Sequence, residues 1–340
     1  MTVAQPPYVD VGERYPQLPR TPRWRWWRPL LGLLICALTV VVLATAVVLL
    51  TLAVSALIGG PADPREDASL TADHPLGLLA NNLVIATLIP ASMLAVWAGH
   101  GQRPGYLASV TSRPRSRLFG QLLVVALVMV VVFVGLSLLI PPVGLGSVDP
   151  PAAGTLAGLL AVIALSTPLQ SAAEEIGFRG YLTQAVASWF ARPVVGAVVA
   201  AAVSALAFAF AHGAQDPALF VDRCAFGLVA SWLTWRTGGL EAAIALHVAN
   251  NLVSLGLTAV TGSVAASLEA SSLDWPHALV DVVMMLVYAL VVARLVDRRG
   301  VQVRRVPPPL ALSAQEGVGY PGSRSSTPPP AGDEPPWGMG

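Results

Sequence analysis

The chain has 340 residues, 55% of them hydrophobic and only 11% charged, with a formal net charge of +1 and a mean hydropathy of +0.67. Several charge-free runs exceed the roughly 20 residues that a helix needs to cross a bilayer, which argues against a soluble globular domain and predicts an all-α, polytopic membrane protein. All twenty basic residues are arginine and lie scattered over loops, so nothing in the charge points to a nucleic-acid partner.

Residues 1–28 are rich in Pro and Arg and read as a disordered cytoplasmic tail that cannot bury a core. Its last part, "RWRWWR" at 23–28, is the tryptophan and arginine belt expected at a membrane interface. Apolar spans follow at 30–58, 76–99, 118–140, 154–173, 194–211, 218–235, 239–260 and 277–296, giving about eight transmembrane helices. The first span is too long for a typical cleaved signal and is expected to stay as an anchor. Residues 29–150 thus carry three spans, 151–262 the next four and 263–299 the last. The Pro-rich stretch 300–340 reads as a second disordered tail. Cys36 and Cys224 lie in apolar runs without metal-ligand or disulfide spacing.

Arginine alternates along this plan. It clusters before the first span, at Arg103 to Arg117, at Arg179 and Arg192, at Arg236 and after Arg294, and it is sparse or missing in the intervening loops. By the positive-inside rule the expectation is a multi-pass protein of the cell membrane with both termini in the cytoplasm.

Ionisable groups within the spans are costly in lipid, so each is a candidate for function. Glu175 and Arg179 are four apart in the order that favours an i,i+4 ion pair, which leaves Glu174 without a local partner. His247 and Asn251 share one helix face, and Phe208 sits one turn before His212. A bend at Arg192–Pro193 would bring Glu174 and His212 to the same height on two antiparallel helices, and the amphipathic rhythm of 174–192 favours a helix that continues past the glutamates. Asp222, Arg223 and Asp281 read as charges near helix ends.

These residues form "EEIGFR", "FAFAH" and "HVANN", in that order, and so match E-E-x-x-x-R, F-x-x-x-H and H-x-x-x-N. The set resembles the CPBP family of CAAX-processing and bacteriocin-processing intramembrane proteases, which includes Abi and lysostaphin-resistance-like proteins. The resemblance covers residues 150–260. It implies an endopeptidase acting on membrane-associated proteins or peptides, with the bilayer itself as the other partner. In that reading Glu174 and His212 activate a water, and His247 and Asn251 stabilise the oxyanion. Glu175, Arg179 and Phe208 support the site. No cofactor is favoured, since a carboxylate and an imidazole can activate water without an ion. The alternative is a catalytic Zn²⁺ held by Glu174, His212 and His247. Two other readings stay open: a non-proteolytic scaffold or immunity protein, and a proton- or ion-coupled transporter, although no inverted repeat is visible.

Overall fold

The computed structural model describes residues 12–61, 63–140 and 149–305. The chain divides into a unit of residues 1–306 and a unit of residues 307–340, and the second lies wholly outside the described residues, as does most of the expected C-terminal tail.

Among the described residues eight helices are long and apolar enough to cross a membrane: α1 (Arg28–Leu57), α2 (Pro75–His100), α3 (Ser116–Ser137), α4 (Ala153–Ala187), α5 (Pro193–Ala211), α6 (Pro217–Thr237), α7 (Glu241–Thr261) and α8 (Trp275–Arg299). The protein is an all-α, multi-pass membrane protein. Proline stands in the first turn of α1, α2, α5, α6 and α8, where its fixed φ suits a helix start and its missing N–H costs nothing. Asp216 and Asp274 cap α6 and α8 by accepting from Leu219 and His277 amides. The main core joins α3, α6, α7 and α8 around Leu122, Phe208, Leu233, Leu246 and Tyr288, so α7 is wrapped on several sides.

Two helices change their pitch. α2 closes in a π-helical turn at Ala95–His100, and α4 passes from α-helix (Ala153–Glu175) through a π-helical segment (Ile176–Leu182) to a last α-turn (Thr183–Ala187). α4 is therefore longer than the apolar run 154–173, because it continues past its own charged residues. The Phe178 carbonyl in the π segment accepts from the hydroxyls of Thr183 and Ser204, each at 3.0 Å, so the wider turn leaves it satisfied.

The N-terminal segment departs from the expectation of a disordered tail. Residues 1–11 lie outside the described residues, but from Gly12 onward the chain is fixed. Tyr15 and Leu18 are fully buried with Val110 and Leu240, and the Tyr15 hydroxyl donates to the Leu107 carbonyl at 2.5 Å. Burial pushes the Tyr15 phenol well above its usual range, so it remains a neutral donor. Gln17 donates to the Pro193 carbonyl at 3.0 Å, and the Arg14 guanidinium lies 4.3 Å over the Trp235 ring. β1 (Glu13–Arg14) pairs antiparallel with β2 (Arg304–Arg305), so the start of the second tail is fixed as well. The physical reason is local. Two apolar side chains in an otherwise polar leader find a pocket between the loops of the bundle, and prolines at 16 and 19 hold them in a tight turn.

The arginine count carries an expected result for topology. Cysteines introduced at positions 10 and 320 are both protected from an impermeant thiol reagent in intact cells and both label after permeabilisation. Labelling of either from outside overturns the two-termini-inside assignment.

Candidate active site

The site is built on α4 and α7, with α5 and α6 as its aromatic wall. Glu175 is four residues before Arg179, and the pair forms: Arg179 Nη1 lies 3.0 Å from Glu175 Oε1, with both side chains 0% exposed. The guanidinium lies beside a stacked pair of rings, 4.1 Å from the Phe208 centroid and 5.2 Å from that of Phe226. Glycine at 227 makes this possible. A Cβ there would come within 2.7 Å of the Ala205 Cβ and 3.2 Å of Arg179 Nη2, so only glycine lets α6 approach so closely.

His247 enters from α7 and lies between the two glutamates. Its Nδ1 is 2.9 Å from Glu175 Oε1, and its Nε2 is 3.2 Å from Glu174 Oε2. Spacing along the chain pairs Glu175 with Arg179 but cannot reveal a contact with a residue 72 positions away. The imidazole is also flanked edge-on by Phe208 and Phe226, at ring centroid distances of 6.0 Å and 4.9 Å. Glu174 keeps 12% of its side chain exposed, whereas Glu175 is sealed.

His212 stands at the end of α5, just past its last turn, and is exposed. Its Nδ1 is 2.7 Å from the Phe208 carbonyl, and its ring packs against Phe208 at 4.6 Å. A carbonyl can only accept, so Nδ1 carries the proton and Nε2 presents a lone pair. The chain does turn between Ala187 and Pro193, yet among the described residues no hydrogen bond joins Glu174 to His212. Glu174 meets His247 instead, and both imidazoles pack against the Phe208 ring.

Asn251, one turn after His247, donates to Gln170 Oε1 and Ser171 Oγ, both at 3.2 Å. Gln170 and Ser171 lie one turn before Glu174 and Glu175 on α4, and sequence reasoning missed them. Their signal was polar residues within a span at helical spacing from the glutamates. A further buried contact continues the same helix, where Asn82 of α2 donates to Ser166 and Thr167 at 2.9 Å and 3.2 Å. Asp222 and Asp281 stand outside this cluster. Arg223 donates to Gln215 and to the Ala270 carbonyl, which ties the start of α6 to the loop before α8.

The proposed zinc ligands can be tested against this geometry. Among the described residues no three His, Cys, Asp or Glu side chains gather closely enough to hold a metal ion. Glu174 and His247 touch each other directly, and both His247 nitrogens face carboxylates. As placed, the three residues do not fit a Zn²⁺ site.

Residues 155–253, which include all of these groups except Asn82, Asp281 and the Ala270 carbonyl, match the family model described as type II CAAX prenyl endopeptidase Rce1-like. Neither the curated proteins nor the solved structures gave a match. The three motifs and the helices that hold them thus lie within the stretch, residues 155–253, that is similar to the Rce1-like CAAX endopeptidases.

Proposed function

We propose that this chain is an intramembrane endopeptidase that hydrolyses peptide bonds in membrane-associated proteins or peptides, with prenylated CAAX-type substrates as the first class to test. One observation carries the reading. A buried imidazole is clamped between two carboxylates, one neutralised by a buried guanidinium and the other reachable from the site.

The chemistry follows from those contacts. Glu175, paired with Arg179, accepts a hydrogen bond from His247 Nδ1–H and fixes the ring's orientation. Nε2 of His247 then faces Glu174 and, when it carries a proton, can donate to a developing oxyanion. Glu174 is the general base. It takes a proton from water as the water oxygen bonds to the scissile carbonyl carbon and the carbonyl electrons move onto oxygen. His212, with its Nε2 lone pair free, orients that water from the α5 side. Collapse of the tetrahedral intermediate breaks the C–N bond, and the proton on Glu174 passes to the leaving amine. Asn251 turns from Gln170 and Ser171 to supply a second donor to the oxyanion.

The test incubates the purified full-length chain with a panel of prenylated CAAX peptides and unmodified membrane peptides, with and without a zinc chelator. The expected result is cleavage by the wild type that chelation leaves within about twofold and that His212→Ala and His247→Ala each abolish. Cleavage lost on chelation and restored by Zn²⁺ overturns the metal-free mechanism. No cleavage together with substrate-independent proton uptake into liposomes replaces the reading with transport.

Asn251→Ala is expected to retain measurable turnover, slower by about 10²–10³, the cost of one lost oxyanion donor. Single-turnover rates at saturating peptide check this, and an unchanged rate removes Asn251 from the oxyanion site.

A further inference from the structure

On the arginine-rich side of the membrane, the first turn of α3 and the end of α8 enclose an open cleft of about 740 Å³, lined by Arg113, Arg115, Ser116, Arg117, Gln121 and Arg299. No carboxylate is among its lining residues. The nearby acids are already engaged. Glu241 is held by Arg115 at 2.6 Å and 2.8 Å, and Asp297 is held by Arg236. Three guanidinium groups, those of Arg113, Arg117 and Arg299, therefore border the cleft without an acidic partner among the described residues, and Arg299 donates to Gln121.

A second feature adds to the positive field. The first amides of α3 have no carbonyl one turn back, and no side chain caps them. Below the cleft α3 turns apolar. Arg117, Gln121, Val124, Val128 and Val131 recur at steps of four and three, which places them on one stripe of the helix. The three valines are 61%, 60% and 56% exposed. From Arg117 to Val131 the stripe descends about 21 Å, enough to reach from the headgroup level through one leaflet of a roughly 30 Å core.

We propose that this cleft binds the phosphate of an anionic lipid headgroup, with the acyl chains lying along the Val124, Val128 and Val131 stripe. Basic pockets between helices at a membrane face are suited to phosphate headgroups, and guanidinium groups bind phosphate through paired N–H donors. The valine stripe favours a lipid over a soluble phosphate, because a free ion has no use for the apolar surface beneath.

The full-length protein is reconstituted in nanodiscs of phosphatidylcholine doped with phosphatidylglycerol, released into detergent, and its retained lipid counted by native mass spectrometry. Wild type retains phosphatidylglycerol. The triple variant Arg113→Gln/Arg117→Gln/Arg299→Gln binds it about a hundredfold more weakly, and Arg117→Gln alone about fivefold, as follows from about 1 kcal/mol per arginine. A control of equal charge, Arg103→Gln/Arg294→Gln/Arg298→Gln, retains it as the wild type does. Added phosphatidylglycerol raises the melting temperature of wild type but not of Arg117→Gln, which keeps the test open if the triple variant does not fold. Unchanged retention by the variants, or an equal loss in the control, overturns the proposal. Inorganic phosphate that displaces phosphatidylglycerol at equal concentration also overturns it and marks a site for soluble phosphate.

Discussion

Glu174→Gln is expected to stop peptide cleavage, lowering the rate by about 10²–10⁴, while the melting temperature of the purified protein stays level or rises. The substitution keeps the shape of the side chain and removes its ability to accept a proton from water. It also removes an ionisable group from the membrane interior, where such groups are costly. Its neighbour responds differently. Glu175→Gln takes the carboxylate from both Arg179 and His247 Nδ1, so turnover falls together with stability. Cleavage rates and melting curves of the two variants separate the roles. If Glu175→Gln loses turnover with stability intact and Glu174→Gln stays active, the assignment is reversed.

Arg179→Met is expected to lower stability by about 3–5 kcal/mol, because it leaves Glu175 a buried carboxylate with its cationic partner gone. Some of the loss comes from packing, since the guanidinium fills the space against Phe208 at 4.1 Å. The double variant Glu175→Gln/Arg179→Met removes the stranded charge and should recover much of the folded yield. Cleavage stays low in the double variant, because the contact that orients His247 is still missing. Yield after detergent extraction and size-exclusion chromatography measures the first effect, and peptide turnover the second. A double variant no better folded than Arg179→Met shows that the ring packing, not the ion pair, holds this part of the bundle.

The spans were legible because lipid imposes a simple rule on length and hydropathy, and seven of the eight helices start and stop within about three residues of the apolar runs. For α4 hydropathy alone ends at Glu174, and it is the amphipathic rhythm of 174–192 that points to the helical continuation seen to Ala187. The Glu175–Arg179 contact was legible from a spacing of four. The contact of Glu175 with His247 was not, because it depends on how α4 and α7 are rotated against each other, and the chain between them carries no trace of that angle. The same holds for Asn251 with Gln170 and Ser171. The direct approach of Glu174 to His212 expected from equal heights on a hairpin also needs the right rotation, and the π segment after Glu175 alters the helix phase. The leader was misread for a different reason. Its composition is that of a tail, but composition averages over residues, and two anchors, Tyr15 and Leu18, suffice to fix it.

The ribbon between Glu13–Arg14 and Arg304–Arg305 sets an order of events during biosynthesis. The leader leaves the ribosome before Val110, Leu240 and Trp235, against which it packs, and long before its partner strand. At translation rates of about 5–20 residues per second the leader waits on the order of 15–60 s before its last partner exists. Throughout that interval the segment lacks the strand that pairs with Glu13–Arg14. A chain cut short after α8 therefore carries a leader that has lost its strand, and susceptibility of residues 12–20 to protease reports whether Arg304–Arg305 has been made.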